Sequence, residues 1–132
     1  MTTWLETQGL KNHRYRISNI TVFEKDGKLI CPICFENKTN WNVHHCYFRE
    51  HGGSDSKNNL LVLCVMCHTR LHKGEEIERQ YCQERVFAYM ASVYGGEFEL
   101  LKKIPNTEFM RNTSSEEWKA LGAYWFENGM AS

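Results

Sequence analysis

The decisive stretch runs from residue 41 to 73. It reads Trp41-Asn-Val-His44-His45-Cys46, then Gly52-Gly53, then Asn59-Leu-Leu-Val-Leu-Cys64, then Cys67-His68-Thr-Arg70-Leu-His72-Lys73. Apolar residues rise into a histidine pair at the end of a first strand. A long polar loop follows, in which Gly52 and Gly53 supply backbone freedom. Leu60 to Leu63 form a second strand, and a helix begins at the cysteines that follow. His68 and His72 are four residues apart, so on a helix they share one face. His44 and His45 end the first strand and can face that helix. Four imidazoles and the Asn59 amide then converge on one small site.

Upstream of this stretch lies Glu24-Lys25-Asp26-Gly27-Lys28-Leu29-Ile30. Asp-Gly between strand-favouring residues predicts a hairpin, because both turn positions call for positive φ. The second strand of that hairpin runs straight into Cys31-Pro32-Ile33-Cys34, a tight turn with two thiols at its tip. The six cysteines are 31, 34, 46, 64, 67 and 82, and two Cys-x-x-Cys pairs stand on either side of the histidine pair. Paired thiolates at that spacing suit tetrahedral zinc, so Cys31, Cys34, Cys64 and Cys67 are the expected ligands of a structural Zn²⁺. A disulfide framework fits a secreted chain, which nothing in the sequence suggests. A redox Cys-x-x-Cys needs only one such pair. Cys46 and Cys82 read as small buried hydrophobes.

Taken together, His44-His45, Gly52-Gly53, Asn59 with its Leu-Leu-Val-Leu-Cys tail, and Cys67-His68-Thr-Arg-Leu-His72 resemble the HNH endonucleases, also called ββα-metal or His-Me finger nucleases. With the Cys31–Cys34 pair included, the resemblance covers about a third of the chain. It implies an α+β fold: a small ββα-metal core with a zinc-clamped β-hairpin and appended C-terminal helices. It also implies metal-dependent hydrolysis of DNA phosphodiester bonds, by nicking or by full cleavage. In the family, the first of two adjacent histidines binds the catalytic metal and the second is the general base. Carried over, His44 is a ligand and His45 activates water. His68 and, by likeness to colicin-type members, His72 complete the metal set. Asn59 orients the base and braces the loop through backbone contacts. Many zinc-bearing members carry Asp where His44 stands and Asn where His68 stands. The two imidazoles here lean towards Mn²⁺, Ni²⁺, Co²⁺ or Zn²⁺ more than Mg²⁺. Arg70 and Lys73, on the same helix, are candidates for phosphate contact. The alternative reading is a non-catalytic zinc ribbon that binds nucleic acid or a partner protein. Such a module has no need of His44, His45 and His72. His13 and His51 fall outside the motif.

At 132 residues, with 42% hydrophobic and 24% charged, the chain is of ordinary globular composition. The longest apolar run, Leu60 to Cys67, is too short to span a bilayer. No charged-then-apolar signal pattern opens the chain. The expected location is therefore cytoplasmic, in a bacterial cell or a phage-infected host. Net charge is zero, yet residues 11–73 hold ten Lys or Arg and five Asp or Glu, a balance of +5. Residues 74–132 hold six and ten, a balance of −4. The half that carries the site is the basic half, which fits a polyanion such as DNA there.

Three segments are expected: 1–19, an N-terminal docking segment with Trp4, Leu5 and Leu10; 20–75, the zinc-stabilised core; and 76–132, a helical extension. In the extension, Ile77, Tyr81, Cys82, Val86, Met90 and Val93 recur at helical spacing up to Gly95-Gly96. Phe98, Leu100 and Leu101 suggest a short helix. Ser114 and Glu117 form a capping box for a helix with Trp118, Leu121, Trp125 and Phe126 on one face. That face is expected to pack on the zinc core, on a second copy in a homodimer, or on a phage packaging protein such as a terminase. The free-standing nuclease domain most resembles phage-type members of the family.

Overall fold

A computed structural model describes residues 4–10, 14–95 and 98, with backbone alone at Ile17 and His51. Helix α1 spans Trp4–Thr7, and a 3-10 turn covers Ile17–Asn19. Strands β1 (Phe23–Lys25) and β2 (Lys28–Ile30) form the expected antiparallel hairpin. Its turn residues take positive φ, 54° at Asp26 and 76° at Gly27.

The central unit is strand β3 (Trp41–His45), a long loop, strand β4 (Leu60–Cys64) and helix α2 (Val65–Lys73). β3 and β4 are antiparallel, with Trp41 opposite Cys64, His44 opposite Leu61 and His45 opposite Leu60. This ββα unit is the small core that the sequence implies. All five residues of β4 are buried. A strand covered on both faces reads as a continuous apolar run, which is why Leu60–Cys64 does not alternate. Full burial of each of its leucines contributes about 2 kcal/mol. The edge of β4 away from β3 is paired by the segment before the hairpin. Thr21 bridges Leu61 in parallel, with Thr21 N donating to Leu60 O at 2.8 Å and Val62 N donating to Thr21 O at 3.0 Å.

The N-terminal residues pack on this chain's own core. Leu5 and Leu10 are buried. Trp4 Nε1 donates to Gly27 O at 3.2 Å, and Trp41 Nε1 donates to Gln8 O at 2.9 Å.

Helix α3 spans Glu76–Tyr94 and ends at Gly95. Its buried face differs from the stripe read in the sequence. Cys82, Val86 and Met90 are buried as expected, but Ile77, Tyr81 and Val93 are 77%, 40% and 48% exposed. Phe87, Ala88, Tyr89 and Ala91 are buried instead, so the second half of the helix is covered on most sides. Phe98 supports this, packing on Phe87 with ring centroids 5.2 Å apart. An even 3.6-residue period captures a helix covered on one side; α3 changes from partly to fully covered along its length. The short helix expected near Leu100–Leu101 and the Ser114-capped helix lie outside the described residues. Among the described residues no helix is long and apolar enough to cross a membrane.

Candidate functional site

Two clusters of ligand-type side chains flank the start of α2. The first consists of Cys31, Cys34, Cys64 and Cys67, whose sulfurs all lie within 4.8 Å of one another. β2 delivers Cys31. The chain then turns tightly, with Phe35 N donating to Cys31 O at 2.8 Å and Phe35 at a φ of 59°. Cys64 ends β4 and caps α2, its sulfur accepting from Cys67 N at 3.4 Å. Sγ of Cys34 and Sγ of Cys64 are 3.9 Å apart. Four sulfurs at about 2.3 Å from one tetrahedral ion stand about 3.8 Å apart, so the donor set suits zinc. Crowding splits the thiols. Hydrogen bonds from neighbouring thiols, Cys31 first, hold Cys34 down at about 6 and Cys64 well below the ordinary thiol range. Cys31 and Cys67 are pushed up by the same thiol contacts, chiefly with Cys34 and Cys31 respectively. A bound metal requires all four sulfurs deprotonated.

The second cluster is His44, His68 and His72, with one ring nitrogen of each within 4.8 Å of the others. Successive strand residues point to opposite faces, so β3 sends His44 towards α2 and His45 the other way. α2 presents His68 and His72 from consecutive turns. Their Nε2 atoms are 3.2 Å apart. Ligand nitrogens at about 2.0–2.1 Å from one tetrahedral metal stand about 3.3 Å apart, so this donor pair also fits. The imidazoles are kept neutral. Burial pushes His44 well below its ordinary value, helped by His68, His72 and His45. Burial, then His72 and His45, lowers His68 to about 4. Burial lowers His72 too, against the opposing pull of Glu50. Neutral imidazoles are the metal-binding form. Asn42 lies 3.0 Å from His68 Nδ1. The Asn42 atom that faces the ring is Nδ2; with Nε2 given to a metal and the hydrogen on Nδ1, the amide would have to turn over for its oxygen to accept from Nδ1. The cluster opens into a cleft of about 620 Å³ lined also by Val43, His45, Phe48, Arg49 and Glu50.

His45 stands where this cleft meets a second one of about 330 Å³, lined by Arg14, Tyr15, Trp41, Asn42 and Arg49 among others. His45 Nε2 lies 2.7 Å from Asp55 Oδ1 and 3.4 Å from the Tyr15 hydroxyl. Tyr15 meets the imidazole edge-on at 5.6 Å between centroids. Burial first, and the negative charge of Asp55 second, raise the Tyr15 phenol above its ordinary value, so it stays protonated.

Asn59 is fully buried and acts on the loop. Its Oδ1 accepts from Tyr47 N at 2.7 Å, and its Nδ2 donates to Tyr47 O at 3.1 Å and Ser54 O at 2.9 Å. Among the described residues it makes no hydrogen bond to His45; the contact with the imidazole comes from Asp55. Gly53 packs against the same strand end, where a Cβ would fall 1.8 Å from Tyr47 O. No other residue fits there. Arg70 Nε pairs with Glu78 Oε2 at 3.2 Å, across α2 and α3, and both side chains are partly exposed. Lys73 is exposed at the end of α2. His51 lies in the 3-10 turn Arg49–His51, and His13 lies outside the described residues. Sequence reasoning missed Asp55, Tyr15 and Asn42. Asp55 carries a weak signal, as the only carboxylate between Gly53 and Asn59. Tyr15 carries none, because it reaches His45 from thirty residues away.

Residues 29–74 match the family model for HNH endonuclease. The segment that holds both clusters, His45 and the Asn59 loop is thus an HNH endonuclease domain. Over 45 residues the chain is also 42% identical to Anaredoxin of Nostoc sp. (strain PCC 7120). That match takes in 34% of this chain and 59% of the relative. No solved structure matches the chain.

Proposed function

We propose that this protein is a metal-dependent HNH endonuclease that hydrolyses DNA phosphodiester bonds with His45 as general base. The observation that carries the reading is the separation of roles around one cleft. His44, His68 and His72 gather as neutral ligands, while His45 stands beside them outside the ligand group. A divalent cation held there would supply Lewis-acid stabilisation of the phosphorane and the leaving 3′ oxygen. The protein's own part is positioning and proton transfer. Water in the cleft gives its proton to His45 as its oxygen bonds phosphorus. The bond to the 3′ oxygen breaks, and that oxygen takes a proton from solvent. Arg14 and Arg49 line the second cleft beside His45 and suit the flanking phosphates.

The cysteine tetrad serves as a structural zinc site that fixes β2 to the start of α2. The site has one base and one ligand triad, so it attacks one strand at a time. Supercoiled plasmid incubated with the full chain and Mn²⁺, Ni²⁺, Co²⁺, Zn²⁺ or Mg²⁺ in turn tests the proposal. Nicked circles are expected before linear product. Plasmid left intact under every metal, by protein that still binds DNA, overturns it in favour of a non-catalytic zinc module.

A further inference from the structure

The geometry points to Asp55 as the positioning residue that fixes the tautomer of His45. This rests on His45 being the base, and it names the device that makes it one. A carboxylate can only accept a hydrogen bond, so Asp55 Oδ1 at 2.7 Å requires the hydrogen on Nε2. The lone pair then resides on Nδ1, which has no hydrogen-bond partner among the described residues. Without Asp55 the neutral ring can carry its hydrogen on either nitrogen, and only one of the two forms offers Nδ1 as an acceptor. Tyr15 restrains the ring plane from the side, and its hydroxyl at 3.4 Å is too far to compete for the Nε2 hydrogen.

Asp55 is half-exposed, at 54%, against 13% for the His45 side chain, so its position must come from its loop. The loop supplies it. Ser54 O is held by Asn59 Nδ2 at 2.9 Å, and the Ser54 and Ser56 hydroxyls lie 2.6 Å apart. Ser56 Oγ in turn donates to Asn58 Oδ1 at 2.7 Å. Both neighbours of Asp55 are thereby tied down. Asn59 therefore acts on the base at one remove: it shapes the loop, and the loop presents the carboxylate.

The test uses the full-length, zinc-loaded chain and its Asp55→Ala, Asp55→Asn and Asp55→Glu variants. Imidazole nitrogen chemical shifts at neutral pH report the His45 tautomer with or without nuclease activity. The wild type should carry its hydrogen on Nε2, and Asp55→Ala should give a mixture of both forms. Single-turnover nicking should fall by about 10- to 100-fold in Asp55→Ala, the range for partners that orient a functional histidine. Affinity for Mn²⁺ and for DNA should be unchanged, and Asp55→Glu should recover part of the rate. A wild-type hydrogen on Nδ1, a tautomer indifferent to Asp55→Ala, or a nicking rate within twofold of wild type overturns the inference. If the tautomer depends on Asp55 but the wild type cuts no DNA, the positioning stands and the nuclease reading fails alone.

Discussion

The cysteine and histidine clusters draw on the same helix and differ in how far their donors close on one another. Cys64 and Cys67 open α2, and His68 and His72 follow on its next turns. The cysteine set has four donors, three of them buried, and closes on itself. The histidine set has three donors and opens onto a cleft of about 620 Å³. A four-donor closed site is the pattern of structural metals, and three protein ligands with an open position is the pattern of catalytic ones. One short helix thus carries a closed four-cysteine set at its start and an open three-histidine set one turn later. The closed set lies close enough to hold the histidines in place.

Opening the closed site should have the largest effect. Cys64→Ser removes a ligand whose metal is worth on the order of 10 kcal/mol in small zinc modules, comparable to the whole stability of a domain. The variant should lose its zinc and its near-ultraviolet circular dichroism together. A folded, zinc-free variant would show that the tetrad does not hold the fold. Dialysed wild type should retain about one equivalent of zinc by elemental analysis.

Removing a ligand from the open site should do the reverse. His68→Ala should stay folded with its zinc, yet lose more than about 100-fold in affinity for a second divalent ion by calorimetry, above the usual loss for a partner outside the ligand set. If His68→Ala unfolds as Cys64→Ser does, the two clusters are not separate in role.

How much of this could be read from the chain depends on sequence distance. The clusters were legible because helix and strand periods place His68 and His72 on one face and set the two Cys-x-x-Cys pairs at turn spacing. The Asp26-Gly27 hairpin was legible for the same local reason. Contacts made by loops were not. Asp55 meets His45 only because Gly53 lets the loop press against Tyr47 O and Asn59 pins it from beneath. The Arg70–Glu78 pair was not legible either, because Glu78 belongs to the next helix and no periodicity announces it. The exposed face of α3 at Ile77 and Tyr81 escaped a uniform helical stripe because coverage changes along that helix.

Smaller effects sharpen the contrast between metal side and base side. Asn59→Ala removes three hydrogen bonds from a buried amide to backbone groups. It should cost about 2–3 kcal/mol in urea unfolding, and slow nicking while leaving divalent affinity nearly unchanged. Unaltered stability would mean the loop is held by other contacts.

The smallest expected effect is a pH slope. His68 has its folded value lowered from 6.5 to about 4, with His44 and His72 also lowered. Between 6.5 and about 4 the unfolded chain binds protons that the folded cluster refuses, so stability falls as pH falls through that window. His68→Ala should make that decline shallower when no second metal is present. An identical slope in wild type and variant would contradict the neutral-cluster picture.

His45 is the proposed acceptor of the water proton, beside the histidines proposed to hold the metal. The most direct measurement is single-turnover nicking of supercoiled plasmid by wild type and His45→Ala, with metal content and DNA binding determined on the same samples. The prediction is nicked circles from wild type, and a rate lower by about 100-fold or more in His45→Ala at equal metal content and DNA binding. Equal rates in the two proteins would contradict it, and a His44→Ala variant that keeps the metal but loses the rate would show that the pair is reversed.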